Sequence, residues 1–225
     1  MSETHRVYFI PGMFGFGQLA GYDYFHHFRR GLEAIYREHG QRVEFIDVPT
    51  PPTSSLRERA RILGSTIAHT ARDRGPIHLV GHSTGGLDAR LLLAPGTQLK
   101  LSRELLAFRS RVRTLVTLNT PHYGTPLASY FATVSGARML YALSLLTVVS
   151  LKLGEPSLAI FSRLLAGIGG IDGIFGGDLK LFSRVTDGVL RFVERERRSE
   201  ITDYLGKVLV DQGALLQISP ESMDL

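Results

Sequence analysis

The sequence predicts an α/β fold, a mostly parallel sheet with helices on both faces, and three observations predict it. Short β-branched and aromatic runs alternate with stretches of helical periodicity through the first half of the chain. The connections between them are short and marked by Gly and Pro. The chain has 225 residues, 44% of them hydrophobic and 21% charged, with no cysteine. Such a chain can bury a sizeable core as one domain, without disulfide or Cys-metal support.

The elements follow in order. Val7 to Ile10 is a compact strand run that ends at Pro11-Gly12. A helical face follows in Phe25, Phe28, Leu32, Ile35 and Tyr36, and Gly40 stops it. VEFIDV, Val43 to Val48, reads as the second strand. PTPPTSS is a loop, and Ser54 or Ser55 can cap the next helix. In that helix Leu56, Ala60, Leu63 and Ile67 form the buried stripe, and its arginines are expected to face out. Gly75-Pro76 ends it; Ile77 to Val80 is the third strand, and another helix starts just after Ser83. Leu115 to Leu118 is the fourth strand and runs into NTP. Beyond about residue 126 the strand rhythm stops. Apolar helical stretches, a glycine-rich loop (Gly167 to Gly177) and the charged VLRFVERERR segment replace it. The expected organisation is a core over 1–125, a helical cap over about 126–210 and a short C-terminal segment, 211–225.

Charge narrows the partners. The net charge is +5, but the basic residues are scattered through helices and their connections. Nucleic-acid binding needs a clustered patch or a known module, and neither is present. The longest apolar run, Met139 to Leu151, is shorter than the roughly 18 residues of a membrane span. With no signal-peptide pattern at the start, the expectation is a cytoplasmic protein. No metal site or cofactor is expected.

The chemistry concentrates at GHSTG, Gly81 to Gly85, between a strand and a helix. Serine is a weak nucleophile unless a tight turn exposes it beside a base. Gly81 and Gly85 relieve crowding in so sharp a turn. The helix that begins at Thr84 aims its N-terminal N–H groups and positive dipole end at the Ser83 oxygen. The Thr84 N–H can then donate to the oxyanion of a tetrahedral intermediate.

LVGHSTGGLDAR, followed some thirty residues later by VTLNTPHYGTPLA, resembles the bacterial triacylglycerol lipases of the α/β-hydrolase superfamily. The resemblance covers about residues 7 to 130, with a weaker echo at Asp211 to Met223. It implies an α/β-hydrolase-like sheet with the helical cap after the fourth strand, and carboxylic ester hydrolysis with Ser83 as nucleophile. The second oxyanion donor would be the backbone N–H of Met13, with Phe14 next in line. The substrate would be an ester or lipid, its acyl chain lying under a cap that touches a lipid surface transiently. In that family the first loop usually begins His-Gly; here it is Pro11-Gly12, which changes the surroundings of the hole and not its backbone donors.

The family order is serine, acid, histidine. Of eight histidines only His122 lies after Ser83, and it belongs to the TPHYG segment. The expectation is therefore a C-terminally shortened hydrolase with an incomplete sheet. His122 is a candidate base, although ordering its own loop is the plainer role. His82 is expected to be structural, and His26 and His27 to lie on the surface. Asp47, Asp172, Asp178, Asp187 and Asp211 stay open as acids. Two other outcomes fit the same residues: acyl transfer to an alcohol, and a remnant that kept the turn and works as a scaffold or binding protein. Oligomeric state stays open. Gly15, Gly17 and Ala20 spell G-x-G-x-x-A, yet they begin well past the strand, and Asp47 is farther on than the usual spacing of about 20 residues for a dinucleotide site.

Overall fold

The computed structural model describes residues 3–13, 25–133, 144 and 195–223. Its centre is a four-stranded parallel sheet in the order β2-β1-β3-β4. The strands are β1 (Thr4–Ile10), β2 (Arg42–Asp47), β3 (Ile77–His82) and β4 (Val112–Leu118). Each of the four strand runs appears where the apolar pattern puts it, with ladders that extend one to three residues beyond the apolar core of some runs. Backbone pairing continues for as long as a neighbour lies alongside, whatever the side chain.

The register sorts the side chains. Val7 pairs with Phe45 and Phe9 with Asp47, while Phe9 also pairs with Val80. Val7, Phe9, Val80, Val43 and Phe45 therefore share one face, against which helix α1 (His26–Glu38) packs through Phe25, Leu32 and Tyr36. Tyr8, Ile10, Ile77 and Leu79 face the other way, toward α2 (Leu56–Thr70) and α3 (Thr84–Leu93). There Ala60, Leu63, Ile67, Ala89 and Leu92 close the larger core.

Two details depart from the apolar pattern. Phe28 and Ile35 of α1 are 48% and 53% exposed. The helix touches the sheet along a narrower stripe, Phe25, Arg29, Leu32 and Tyr36, in which an arginine takes the place of an apolar residue. The Arg29 guanidinium lies 5.2 Å from the Phe9 ring centre and 5.5 Å from that of Phe45, and Nη2 donates to Asp47 Oδ2 at 2.7 Å. Cation–π contact with both rings and the ion pair with Asp47 together fix its head. In α2 the expected stripe is buried, but Arg59 is buried with it, contrary to the outward placement of the helix's arginines. Its partner explains the difference, as described below. Ser55 is the N-cap, its Oγ accepting from Glu58 N–H at 3.3 Å.

Beyond β4 come α4 (Pro126–Phe131), α5 (Arg195–Val210), α6 (Gly213–Gln217) and α7 (Pro220–Met223). The glycine-rich loop, most of the expected cap, the G-x-G-x-x-A run, Phe14 and Asp172, Asp178 and Asp187 lie outside the described residues. Among those described, no helix is long and apolar enough to cross a membrane.

Candidate active site

The strand order places a crevice before any side chain is considered. From β1 the chain crosses to β2 on one side, then returns past β1 to β3 on the other. Loops after β1 and β3 thus diverge at their C-terminal ends, which is where open parallel sheets bind ligands. The β1 loop begins Pro11-Gly12-Met13, and the β3 loop is Ser83 itself.

Ser83 forms the whole turn between β3 and α3, with φ 53° and ψ −127°. A positive φ is costly for a residue with a Cβ, by roughly 1–3 kcal/mol, and such strain persists only where the surroundings enforce it. The enforcement is visible. Ser83 N–H donates to Leu118 O at 2.8 Å, tying the turn to the end of β4, and Ser83 O accepts from Gly86 N–H at 3.1 Å. A Cβ on Gly81 would come within 2.5 Å of Gly86 N, and one on Gly85 within 2.1 Å of Ile10 O. Gly85 therefore lets α3 sit against the end of β1. Gly86 does the same for the loop after β4, since a Cβ there would meet Thr120 Oγ1 at 2.1 Å. The start of α3 is wedged between two strand ends, and Ser83 is the residue left to turn the corner.

Gly12 completes the contact. A Cβ at that position would lie 2.7 Å from Ser83 Cβ and 3.2 Å from Ser83 Oγ. The backbone of the β1 loop therefore reaches the serine side chain directly. Met13 follows on this loop, and Thr84 supplies the first N–H of α3, which has no acceptor within its own helix. Ser83 is partly exposed, whereas Thr84 is fully buried.

Beneath this contact lies a buried ion pair. Arg59 and Asp88 side chains are both fully buried, with Arg59 Nη2 2.8 Å and Nε 2.9 Å from Asp88 Oδ2. The guanidinium also donates to Pro11 O at 2.7 Å and to Pro51 O. One arginine thus holds the loop after β1, the loop after β2 and the helix behind Ser83. Burial pushes the Asp88 carboxyl up to about 6, while Arg59 pulls it the other way. Sequence reasoning missed this pair although the signal is present: Arg59 falls at i+3 from Leu56, on the buried stripe, and Asp88 interrupts the apolar helix TGGLDARLLL.

The histidines take distinct places. His122 Nδ1 accepts from Arg90 Nη1 at 2.7 Å, since a guanidinium can only donate. Nε2 then carries the ring proton and donates to Thr117 Oγ1 at 3.2 Å. Both nitrogens are engaged with partners other than Ser83, and no described residue hydrogen-bonds Ser83 Oγ. Burial holds the half-buried His82 imidazole below its ordinary range. His26 and His27 are exposed on α1. Asp47 is paired with Arg29, and Asp211 Oδ1 accepts from Gly213 N–H. Among the described residues no group of three or more His, Asp or Glu could hold a metal ion. No protein-family model matches the chain, and no curated protein is significantly similar to it.

Proposed function

We propose that this chain is a serine carboxylic ester hydrolase of the α/β-hydrolase type, acting through an acyl-enzyme. The observation that carries the reading is the strained Ser83 turn, pressed against the β1 loop at the topological switch point. A structural serine has no need of such a backbone, and strain of this kind is characteristic of residues held for chemistry. Ser83 Oγ adds to the acyl carbonyl as its proton passes to a base, and the carbonyl π electrons move onto oxygen. The Met13 and Thr84 N–H groups stabilise that oxyanion. Collapse expels the alcohol, which takes up the proton, and leaves the acyl group on Ser83. Water, or a second alcohol in an acyl transfer, then releases it by the reverse steps. The exposed Tyr123, Leu127 and Tyr130, on the loop after β4 and on α4, support an apolar acyl chain or lipid as substrate. The same surface supports brief contact with a lipid interface through the cap region.

One observation favours a second reading, a binding or scaffold protein that retains the turn. No described residue hydrogen-bonds Ser83 Oγ, and His122 is committed to Arg90 and Thr117. Hydrolysis of short and long p-nitrophenyl esters by the chain and by Ser83→Ala separates the two. The esterase reading expects turnover that Ser83→Ala abolishes, together with fluorophosphonate labelling at Ser83. A folded chain with neither leaves the scaffold reading in possession. A serine that has lost its base can still retain an oxyanion-hole enhancement of about a thousandfold over water, so the assay must reach that floor.

A further inference from the structure

The β1 loop that carries Met13 is held from below by Arg59, but its outer side is covered by a different part of the chain. The Met13 side chain packs against two small apolar clusters. One consists of Phe131 and Leu215, the other of Leu56, Leu87, Ala128 and Ile218. Leu215 and Ile218 come from the segment around α6, more than two hundred residues beyond Met13, and are 0% and 1% exposed. Three hydrogen bonds seat that segment on the rim of the sheet. Ala214 N–H donates to Thr53 O at 3.0 Å, Thr125 N–H donates to Ile218 O at 2.9 Å, and Leu56 N–H donates to Gln217 Oε1 at 2.7 Å. Together they join the loop after β2, the loop after β4 and the start of α2 to one short stretch of chain.

Resting on the esterase reading of Ser83, we propose that the α6 segment acts as a clamp on the oxyanion loop, with Leu215 and Ile218 as positioning residues that work through the Met13 side chain. The physical case is one of geometry. A backbone N–H stabilises an oxyanion only when it is aimed before the reaction, and an ångström of misplacement is costly. Gly12, with no side chain, cannot be anchored by packing of its own, and its close approach to Ser83 leaves it no room for one. Its successor Met13 supplies the anchor: an unbranched, adaptable side chain seated between elements from the middle and the end of the sequence. Loss of the seat frees the loop without touching Ser83 or any group on the substrate.

The test pairs kinetics with a direct view of Met13. The chain has four methionines, so a spectrum of 13C-methyl-labelled methionine has four signals, and Met13→Leu assigns the relevant one. In the full chain the Met13 methyl should show the shift and breadth of a packed group beside an aromatic ring. Leu215→Ala should move it toward the position of an exposed methionine and lower kcat for p-nitrophenyl esters by about tenfold or more, with KM changed by less than about twofold. Leu215→Met, which keeps the volume, should restore both. Ile218→Val gives a milder step in the same direction and serves if Leu215→Ala does not fold. A Met13 signal that stays in place in folded Leu215→Ala and Ile218→Val overturns the clamp. A signal that moves while Ser83-dependent kcat does not overturns the positioning role. A chain without any Ser83-dependent turnover overturns the esterase reading and the catalytic role with it; the Met13 signal still shows separately whether the packing exists.

Discussion

At the scale of single residues, the site rests on a few groups placed where their ordinary preferences are overridden. Ser83 takes a positive φ, and Arg59 is fully buried. A buried guanidinium is tolerable only when its charge is balanced and its donors are filled, and Asp88 with the Pro11 and Pro51 carbonyls does both. Asp88→Ala should therefore destabilise the fold by about 3–5 kcal/mol in urea unfolding, because it leaves an unbalanced buried charge. The double variant Arg59→Met/Asp88→Leu should recover much of that loss. On the esterase reading proposed above, its Ser83-dependent turnover should nevertheless stay low, since the hydrogen bond to Pro11 O is gone. Stability and activity that recover together would show that the arginine has no part in holding the loop.

At the scale of elements, the parallel sheet carries an unusual polar contact on the face toward α1. His5 Nδ1 of β1 and His78 Nε2 of β3 are 3.0 Å apart, and His78 Nδ1 lies 2.8 Å from Thr114 Oγ1 of β4. Burial, then the nearby His5, holds the His78 imidazole below its ordinary value of 6.5. The folded state therefore binds this proton less readily than the unfolded chain does. The associated stability is complete above about 6.5 and is lost as pH falls through the folded value. The urea midpoint should accordingly drop between about pH 7 and 5, and His78→Gln should flatten that drop relative to the parent chain. Equal slopes for the two would remove His78 as the group responsible. The central strands β1 and β3 were legible in the sequence because a parallel strand buried on both faces is an apolar run, and the edge strands β2 and β4, which are less buried, because β-branched and aromatic residues stand between turn signals. The buried Arg59 and the sheet-facing, partly exposed Arg29 were not, because periodicity scores both as solvent-facing until a partner is known.

At the scale of the molecule, distant stretches meet at one edge of the sheet. The loops after β1, β2, β3 and β4 all converge there, and the segment 211–219 crosses the rim they form. Gln217 is the clearest tie, its side-chain oxygen accepting from the first N–H of α2 beside the Ser55 cap. Gln217→Ala should cost about 1 kcal/mol, the worth of a capping hydrogen bond. Hydrogen exchange should quicken first in the peptides of 211–219 and at the start of α2, while the sheet stays protected. Exchange that quickens uniformly, or only at α2, would mean that the C-terminal segment is held by its apolar contacts alone.

By itself the sequence determined the α/β class, the four strand runs, a serine cap at Ser54 or Ser55 and the candidate nucleophile, because each is written in local pattern: apolar period, turn residues, and glycines around one serine; the structure chose Ser55. Only the tertiary structure decided the strand order, and with it the switch point that brings Gly12 against Ser83. It also decided that Arg59 goes inside, which bonds His122 makes, and that Met13 packs against the clusters that include Leu215 and Ile218, some two hundred residues away. These are contacts between residues widely separated in sequence. Their free energy depends on the simultaneous burial and pairing of both partners, and no local pattern carries that information.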